Sequence, residues 1–375
     1  MRDRGRNGRA VQQSQDDQDN ALQPEQQFGA TPRPASSGRP ITGARVDDPL
    51  VDRFGRRIRH LRISITDRCM FRCRYCMPAA GVPWLARADL LTLDEFARLT
   101  RVMADLGIEE VRLTGGEPTV RPDLPDLVRR LRGIEGVRSV SLTTNGALLR
   151  RLAGPLADAG LTRINVSLDS LSRERFAHLT RRDAFEQVMA GLEELERHPT
   201  ISPIKINAVA LRGFTEAEAL DFARLARRKP YVVRWIEFMP LDADHTWRRD
   251  EILTGDEVHA LIEAEFGPLV PLEGTDQAET ARRYTFADGI GEVGFITPVS
   301  APFCAQCDRI RLTADGQLRT CLFAQRETDL RSPLRAGASD AELATLIRHA
   351  VWRKPLRHGI SDDDSTIRPM SAIGG

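Results

Sequence analysis

The 375-residue chain has six cysteines, and they fall into two groups of three. The first group is Cys69, Cys73 and Cys76 in "CMFRCRYC"; the second is Cys304, Cys307 and Cys321 in "CAQCDRIRLTADGQLRTC". Thiolate sulfur suits zinc, copper(I) and iron–sulfur clusters. A structural zinc site takes four ligands and a disulfide takes two. A four-iron cubane takes four cysteines when the protein supplies every corner, so a trio leaves one iron for a non-protein ligand. Two trios therefore suggest two clusters, each with an open corner. Zinc with a histidine or water stays as the alternative, chiefly for the second trio. No histidine lies within twenty residues of that trio, and His60 precedes the first one on a strand.

Elements must bring such groups together. Short β-like runs alternate with amphipathic segments from residue 50 onward: "LRISIT" (61–66), "EVRLT" (110–114), "SVSLTT" (139–144), "RINVSLD" (163–169), "IKINAVAL" (204–211) and "VRWIEFM" (233–239). Helical periodicity fills the intervals, and Gly107 and Gly160 stand where helix ends want them. Strand alternating with helix predicts a parallel sheet in an α/β fold. Parallel strands covered on both faces read as continuous apolar runs. These alternate instead, with Arg62, Arg112, Ser141, Thr143, Asn165, Ser167, Lys205 and Asn207 on one face. An open, half-exposed sheet alternates in the same way when antiparallel, but the helical crossovers favour a curved, barrel-like sheet whose lumen holds something polar and anionic.

The first trio begins just past the end of "LRISIT", "EVRLT" runs into "GGEP", and "SVSLTT" runs into Asn145-Gly146. Carboxyl ends of parallel strands form the ligand mouth of such folds. Gly115 and Gly116 are expected to let backbone approach a ligand and expose its amides. Beyond residue 240 come a helix, further β-like runs with hairpin signals at Asp288-Gly289 and Asp315-Gly316, and a last helix. The expected organisation is a disordered extension over 1–48, a partial barrel with the first site over 49–240, and an α+β extension with the second site and a Gly-Gly tail over 241–375.

The rest of the composition is that of a globular protein, 41% hydrophobic and 29% charged, with a formal net charge of +1. That balance disfavours a general nucleic-acid or membrane-surface binder. No run approaches the roughly 18 apolar residues of a span, and no secretory signal is evident. A cytoplasmic location is expected, where thiols stay reduced.

"CMFRCRYC" resembles the CxxxCxxC signature of radical S-adenosylmethionine (SAM) enzymes, and "GGEP" resembles the motif that meets the SAM amino group. "RLTGGEPTVR", "LTTNG", "INVSLD", "KINAV", "WIEFMP", "FCAQCDRIRLTADGQLRTCLF" and the terminal "IGG" are similar to the GTP 3′,8-cyclase family of molybdenum cofactor biosynthesis. The resemblance spans about residues 50–375. It implies a partial (β/α)6 radical-SAM barrel with a C-terminal extension, two [4Fe–4S] clusters, and conversion of GTP to its 3′,8-cyclised dihydro form. Cys69, Cys73 and Cys76 would hold the cluster that binds SAM, with Tyr75, Gly116, Ser167 and Met239 lining the cofactor. Cys304, Cys307 and Cys321 would hold the second cluster. Arg62, Arg112, Thr143, Lys205, Arg309 and Arg311 would hold GTP, and Arg309 or Arg311 would also serve the last electron and proton step. An external one-electron donor, a downstream cyclic pyranopterin monophosphate synthase and a homodimer are further implications. The family's Gly-Gly tail reaches the active site. Met70 departs from the asparagine common there. A peptide or sulfatase maturase with twin clusters and a zinc-stabilised nucleotide-binding module are the competing readings, separable by metal content and by GTP turnover.

Overall fold

The computed structural model describes residues 49–244, 247–273, 279–360 and 368–374, so the extension expected over 1–48 lies outside the described residues. Alternation of apolar and polar side chains makes each early strand two-faced. β1 (His60–Ser64), β2 (Glu110–Thr114), β3 (Ser139–Thr144), β4 (Arg163–Ser167), β5 (Ile204–Ala210) and β6 (Tyr231–Glu237) pair in parallel in that order. Leu61, Ile63, Val111, Leu113, Val140 and Leu142 are fully buried on one face. They share a core with helices α1 (Leu93–Asp105), α2 (Leu124–Arg132) and α3 (Leu149–Asp158). α1 starts on a reciprocal cap between Thr92 and Glu95, which satisfies donors that the first turn leaves open. Gly107 and Gly160 follow α1 and α3 with φ of 99° and 90°, the left-handed stop that their positions promised.

Between β4 and β5 stand two helices, α4 (Arg173–Thr180) and α5 (Phe185–Leu195), where the sequence pattern promised one. α4 is short and weakly amphipathic, so periodicity hides it; its Ser172 cap accepts from the Arg175 amide. α6 (Ala219–Arg228) precedes β6. After β6 come α7 (Gly255–Phe266), β7 (Leu269–Pro271), β8 (Arg282–Phe286) and β9 (Glu292–Ile296). β10 (Arg309–Leu312), β11 (Gln317–Arg319) and β12 (Thr328–Asp329) follow, then α8 (Arg331–Arg335), α9 (Asp340–Trp352) and α10 (Met370–Ile373). The hairpins signalled by the two Asp-Gly pairs form, β8 with β9 and β10 with β11.

The later strands do not make a sheet apart. β9 pairs in parallel with β6, and β10 pairs in parallel with β1, so one sheet runs β12-β11-β10-β1-β2-β3-β4-β5-β6-β9-β8-β7. Both edges of the early sheet would otherwise present unpaired backbone groups. Among the described residues no helix is long and apolar enough to cross a membrane.

Candidate active site

β1 delivers the chain to the first cysteine loop, and several cations hold that loop by its carbonyls. Arg72 donates to the Cys69 and Phe71 oxygens at 2.7 and 2.8 Å. Arg181, in left-handed backbone with φ 54°, donates to the Arg72 and Met77 oxygens at 3.0 and 2.8 Å. The amides of Arg72 and Arg74 donate to the last carbonyls of α4, at Thr180 and Leu179. The helix that periodicity missed is thus a buttress of the loop. Asn145 reaches the Met70 sulfur at 3.1 Å.

The glycines of "GGEP" also serve the protein's own packing, and the Gly116 amide is not left exposed. The Gly116 amide donates to the Thr66 oxygen at 2.8 Å and the Glu117 amide to the Arg68 oxygen at 2.7 Å. A Cβ on Gly115 would stand 2.3 Å from the Thr66 oxygen, and one on Gly116 would stand 2.4 Å from the Arg68 oxygen. The Gly116 and Glu117 amides thus bind the segment leading into Cys69, and the missing side chains admit the protein's own backbone, while both glycines still line the cavity beside the first trio. Glu117 then accepts from Thr119, Thr144 and the Asn145 amide, tying the end of β2 to the end of β3. Asp169 accepts from the Tyr75 hydroxyl at 2.7 Å and the Val209 amide at 2.8 Å, and burial raises it to about 6. It fixes Tyr75 against the end of β4.

The polar face carries a row of cations. Arg311, Arg62, Arg112 and Ser141 are aligned across β10, β1, β2 and β3. Arg234 on β6 joins them, donating to Asn207 Oδ1 at 2.7 Å and Asn165 Oδ1 at 3.0 Å. Arg62, Arg112, Arg234 and Arg311 have no ion-pair partner among the described residues. Burial lowers the Arg62 pKa well below its ordinary value, and repulsion from Arg112 and Arg309 adds to that. Burial and then Arg234 bring Arg112 to about 9, and burial brings Arg234 to about 10. Burial and then Arg62 depress Arg311 in the same way. Guanidinium groups keep their protons at neutral pH, so these shifts register first the burial of charge and then, for Arg62, Arg112 and Arg311, repulsion from neighbouring arginines. A bound polyanion would offset both.

A cavity of about 320 Å³ gathers these groups. Cys69, Cys73, Cys76, Cys304, Cys307 and Cys321 line it. So do Tyr75, Gly116, Ser167 and Met239, and so do Arg62, Arg112, Thr143, Arg309 and Arg311. Lys205 does not line it; it lies in register with Asn165 on β4. Arg234, Asn165 and Asn207 do, and Arg234 was not singled out in the sequence, although the alternation of β6 puts it on the polar face. The tail enters as well. Ser371 lines the cavity, and Arg311 donates to the Gly374 carbonyl. Gly374 is close enough to β1 and β2 that a Cβ would meet Thr114 and Ser64. Gly375 lies outside the described residues.

All six cysteines are free thiols. Burial pushes Cys69 to about 11 and Cys76 to about 12, so a metal group would displace protons on binding. Cys307 moves the other way overall: burial raises it, but Lys354 and Arg309 outweigh that. Among the described residues no three His, Cys, Asp or Glu side chains converge as a single-ion site. A cubane spreads its cysteines over separate corners, and the soft sulfur donors of each trio, all lining one cavity, suit that larger group in kind. Distance along the chain misled in one respect: His358 lines the same cavity, and its backbone bonds Cys304. Its Nε2 lies 3.0 Å from the Pro298 oxygen.

A family model described as Radical SAM superfamily matches residues 63–226, and one described as Molybdenum Cofactor Synthesis C matches residues 231–360. The GTP 3′,8-cyclase of Streptomyces coelicolor is 47% identical over 333 residues, covering 87% of this chain and 96% of that protein. Its counterpart from Moorella thermoacetica is 45% identical over 324 residues, 86% of this chain and 99% of that protein. Among solved structures, Streptococcus suis SuiB bound to S-adenosylmethionine aligns with a TM-score of 0.54 at 14% identity. That alignment covers 84% of this chain and 77% of SuiB, a likeness of fold.

Proposed function

The chain belongs to the GTP 3′,8-cyclase family of the radical SAM superfamily, and we infer from that premise the reaction its cavity performs. It is a radical SAM lyase that converts GTP to (8S)-3′,8-cyclo-7,8-dihydroguanosine 5′-triphosphate, an early step of molybdenum cofactor biosynthesis. The reaction removes the C3′ hydrogen and closes a C3′–C8 bond.

Cys69, Cys73 and Cys76 would hold one [4Fe–4S] cluster and Cys304, Cys307 and Cys321 a second. When bound, the first cluster with SAM supplies the one-electron cleavage that drives hydrogen abstraction. Tyr75, Gly116, Ser167 and Met239 would seat SAM, with Tyr75 oriented by Asp169. Arg62, Arg112, Arg311 and Arg234 would bind the triphosphate, because planar guanidinium groups grip phosphate oxygens bidentately. Thr143 would extend that surface along β3, and Lys205 on β5, in register with Asn165 and outside the lining residues, would meet the phosphates only if they reach past that wall. Arg309 would face the base beside the second cluster, and Arg309 or Arg311 would serve the closing electron and proton step. Phe71, Phe238, Leu241, Phe303 and Phe323 line the remaining wall and limit water near reactive carbon. An external one-electron donor, a cytoplasmic location, a homodimer and a downstream synthase complete the reading.

The observation that carries it is the array of four arginines with no ion-pair partner among the described residues, in one cavity with both cysteine trios. The test is anaerobic turnover with SAM, dithionite and GTP deuterated at C3′. The expected result is about eight irons per chain, deuterium in 5′-deoxyadenosine, and a product with a C3′–C8 bond. Deoxyadenosine release indifferent to GTP, or zinc in place of iron, would defeat it.

A further inference from the structure

The second cysteine trio is built against a buried lysine. Lys354 follows α9 and is 2% exposed. Its Nζ donates to the Arg309 oxygen at 2.9 Å and to the Thr320 oxygen. Arg309 stands two residues past Cys307, and Thr320 immediately precedes Cys321. The same ammonium hydrogen-bonds the Cys307 thiol. An ammonium has three donors and no acceptor, and two carbonyls and one sulfur account for all three. The next two residues bind the third cysteine indirectly. Arg56 donates to the Cys304 oxygen at 2.6 Å, to the Pro355 oxygen at 2.6 Å and to the Leu356 oxygen at 3.1 Å. Residues 354–356 are therefore connected to all three cysteine positions.

We propose that Lys354 is the positioning residue of the second trio, fixing Cys307 and Cys321 relative to one another and raising the reduction potential of the cluster held there. This rests on the reading that the trio holds a cluster. Hydrogen bonds and positive charge at cluster sulfur favour the reduced, more negative state, and such outer contacts set the potentials of these centres. A lysine serving only as a brace between β10 and the Cys321 segment would leave the potential where it was. The two roles are therefore separable by measurement.

The experiment uses the full chain, reconstituted anaerobically, with Cys69, Cys73 and Cys76 changed to Ala so that only the second cluster is read. Redox titration followed by electron paramagnetic resonance compares Lys354 with Lys354→Met and Lys354→Arg. Lys354→Met is expected to lower the equilibrium constant for reduction at least tenfold, about 59 mV for a one-electron couple, and to change the g values. Lys354→Arg is expected to recover at least half of the shift. An unshifted potential and unchanged spectrum in Lys354→Met overturn the proposal. If Lys354→Met does not fold, Lys354→Gln keeps a donor without the charge; a downward shift there supports the proposal, and none overturns it. Absence of any second-cluster signal with Lys354 intact would instead remove the reading of the trio itself.

Discussion

At the scale of single residues, buried positive charge with no ion pair among the described residues points most directly to the ligand. Lys205 shows it in a form that titrates. Burial, reinforced by Arg234, lowers its ammonium to about 8, against about 10.4 for free lysine. The sign follows from that depression. Below pH 8 the ammonium is charged, and above it the ligand-free protein has lost the proton. A triphosphate that reaches Lys205 draws the proton back, so GTP affinity should fall as pH rises from 8 to 10, by up to tenfold per unit. Titration calorimetry in buffers of different ionisation enthalpy should report proton uptake on binding in that window. Lys205→Met should remove the part of the slope and uptake centred near pH 8, leaving the part above pH 9 that Arg112 and Arg234 supply; a variant keeping the part near pH 8 would place the lysine away from the phosphates. Much of this array was legible. Residue-by-residue alternation put Arg62, Arg112, Thr143 and Ser167 on the ligand face, and the structure puts them on the cavity wall. Arg234 obeys the same parity, whereas Lys354, Arg56 and His358 reach the second trio through long-range folding that no local pattern encodes.

At the scale of elements, the deciding feature is how closely the loops at the strand ends approach one another. Gly115 has φ 150°, and both glycines of the pair face carbonyl oxygens of residues 66–68. Position along the chain revealed that "GGEP" ends a strand near the first trio; it did not reveal that the partner of those amides is the protein. Ala in place of Gly116 puts a methyl where backbone already stands, and overpacking of this kind costs about 1–3 kcal/mol. The segment before Cys69 must retreat. Gly116→Ala should therefore lose the iron of the first trio, halving the iron per chain, while the second cluster's spectrum survives. Iron assay with paramagnetic resonance on the reconstituted variant checks this. Full iron with normal SAM cleavage would show that the close approach is dispensable.

At the scale of the molecule, the two cysteine trios belong to one sheet. β10 and β9, which follow residue 240, take the two open edges of the early strands, at β1 and β6. The sequence pattern suggested a smaller extension beyond residue 240, because strand partners far apart in sequence leave no periodic trace. One consequence is that Arg311 stands in register with Arg62, so the anion site is completed only when both parts are joined. Unfolding should then be one cooperative transition. GTP should move all of it, since a ligand at 100 times its dissociation constant stabilises the folded chain by about 2.7 kcal/mol. Residues 49–240 expressed alone should lack that response and aggregate through the exposed edges of β1 and β6. Scanning calorimetry of the full chain and of the 49–240 segment, with and without GTP, tests this. Two transitions in the full chain with GTP shifting only one of them, or a folded 49–240 segment that binds GTP as tightly as the whole, would mean that the arginine row does not depend on the joined sheet.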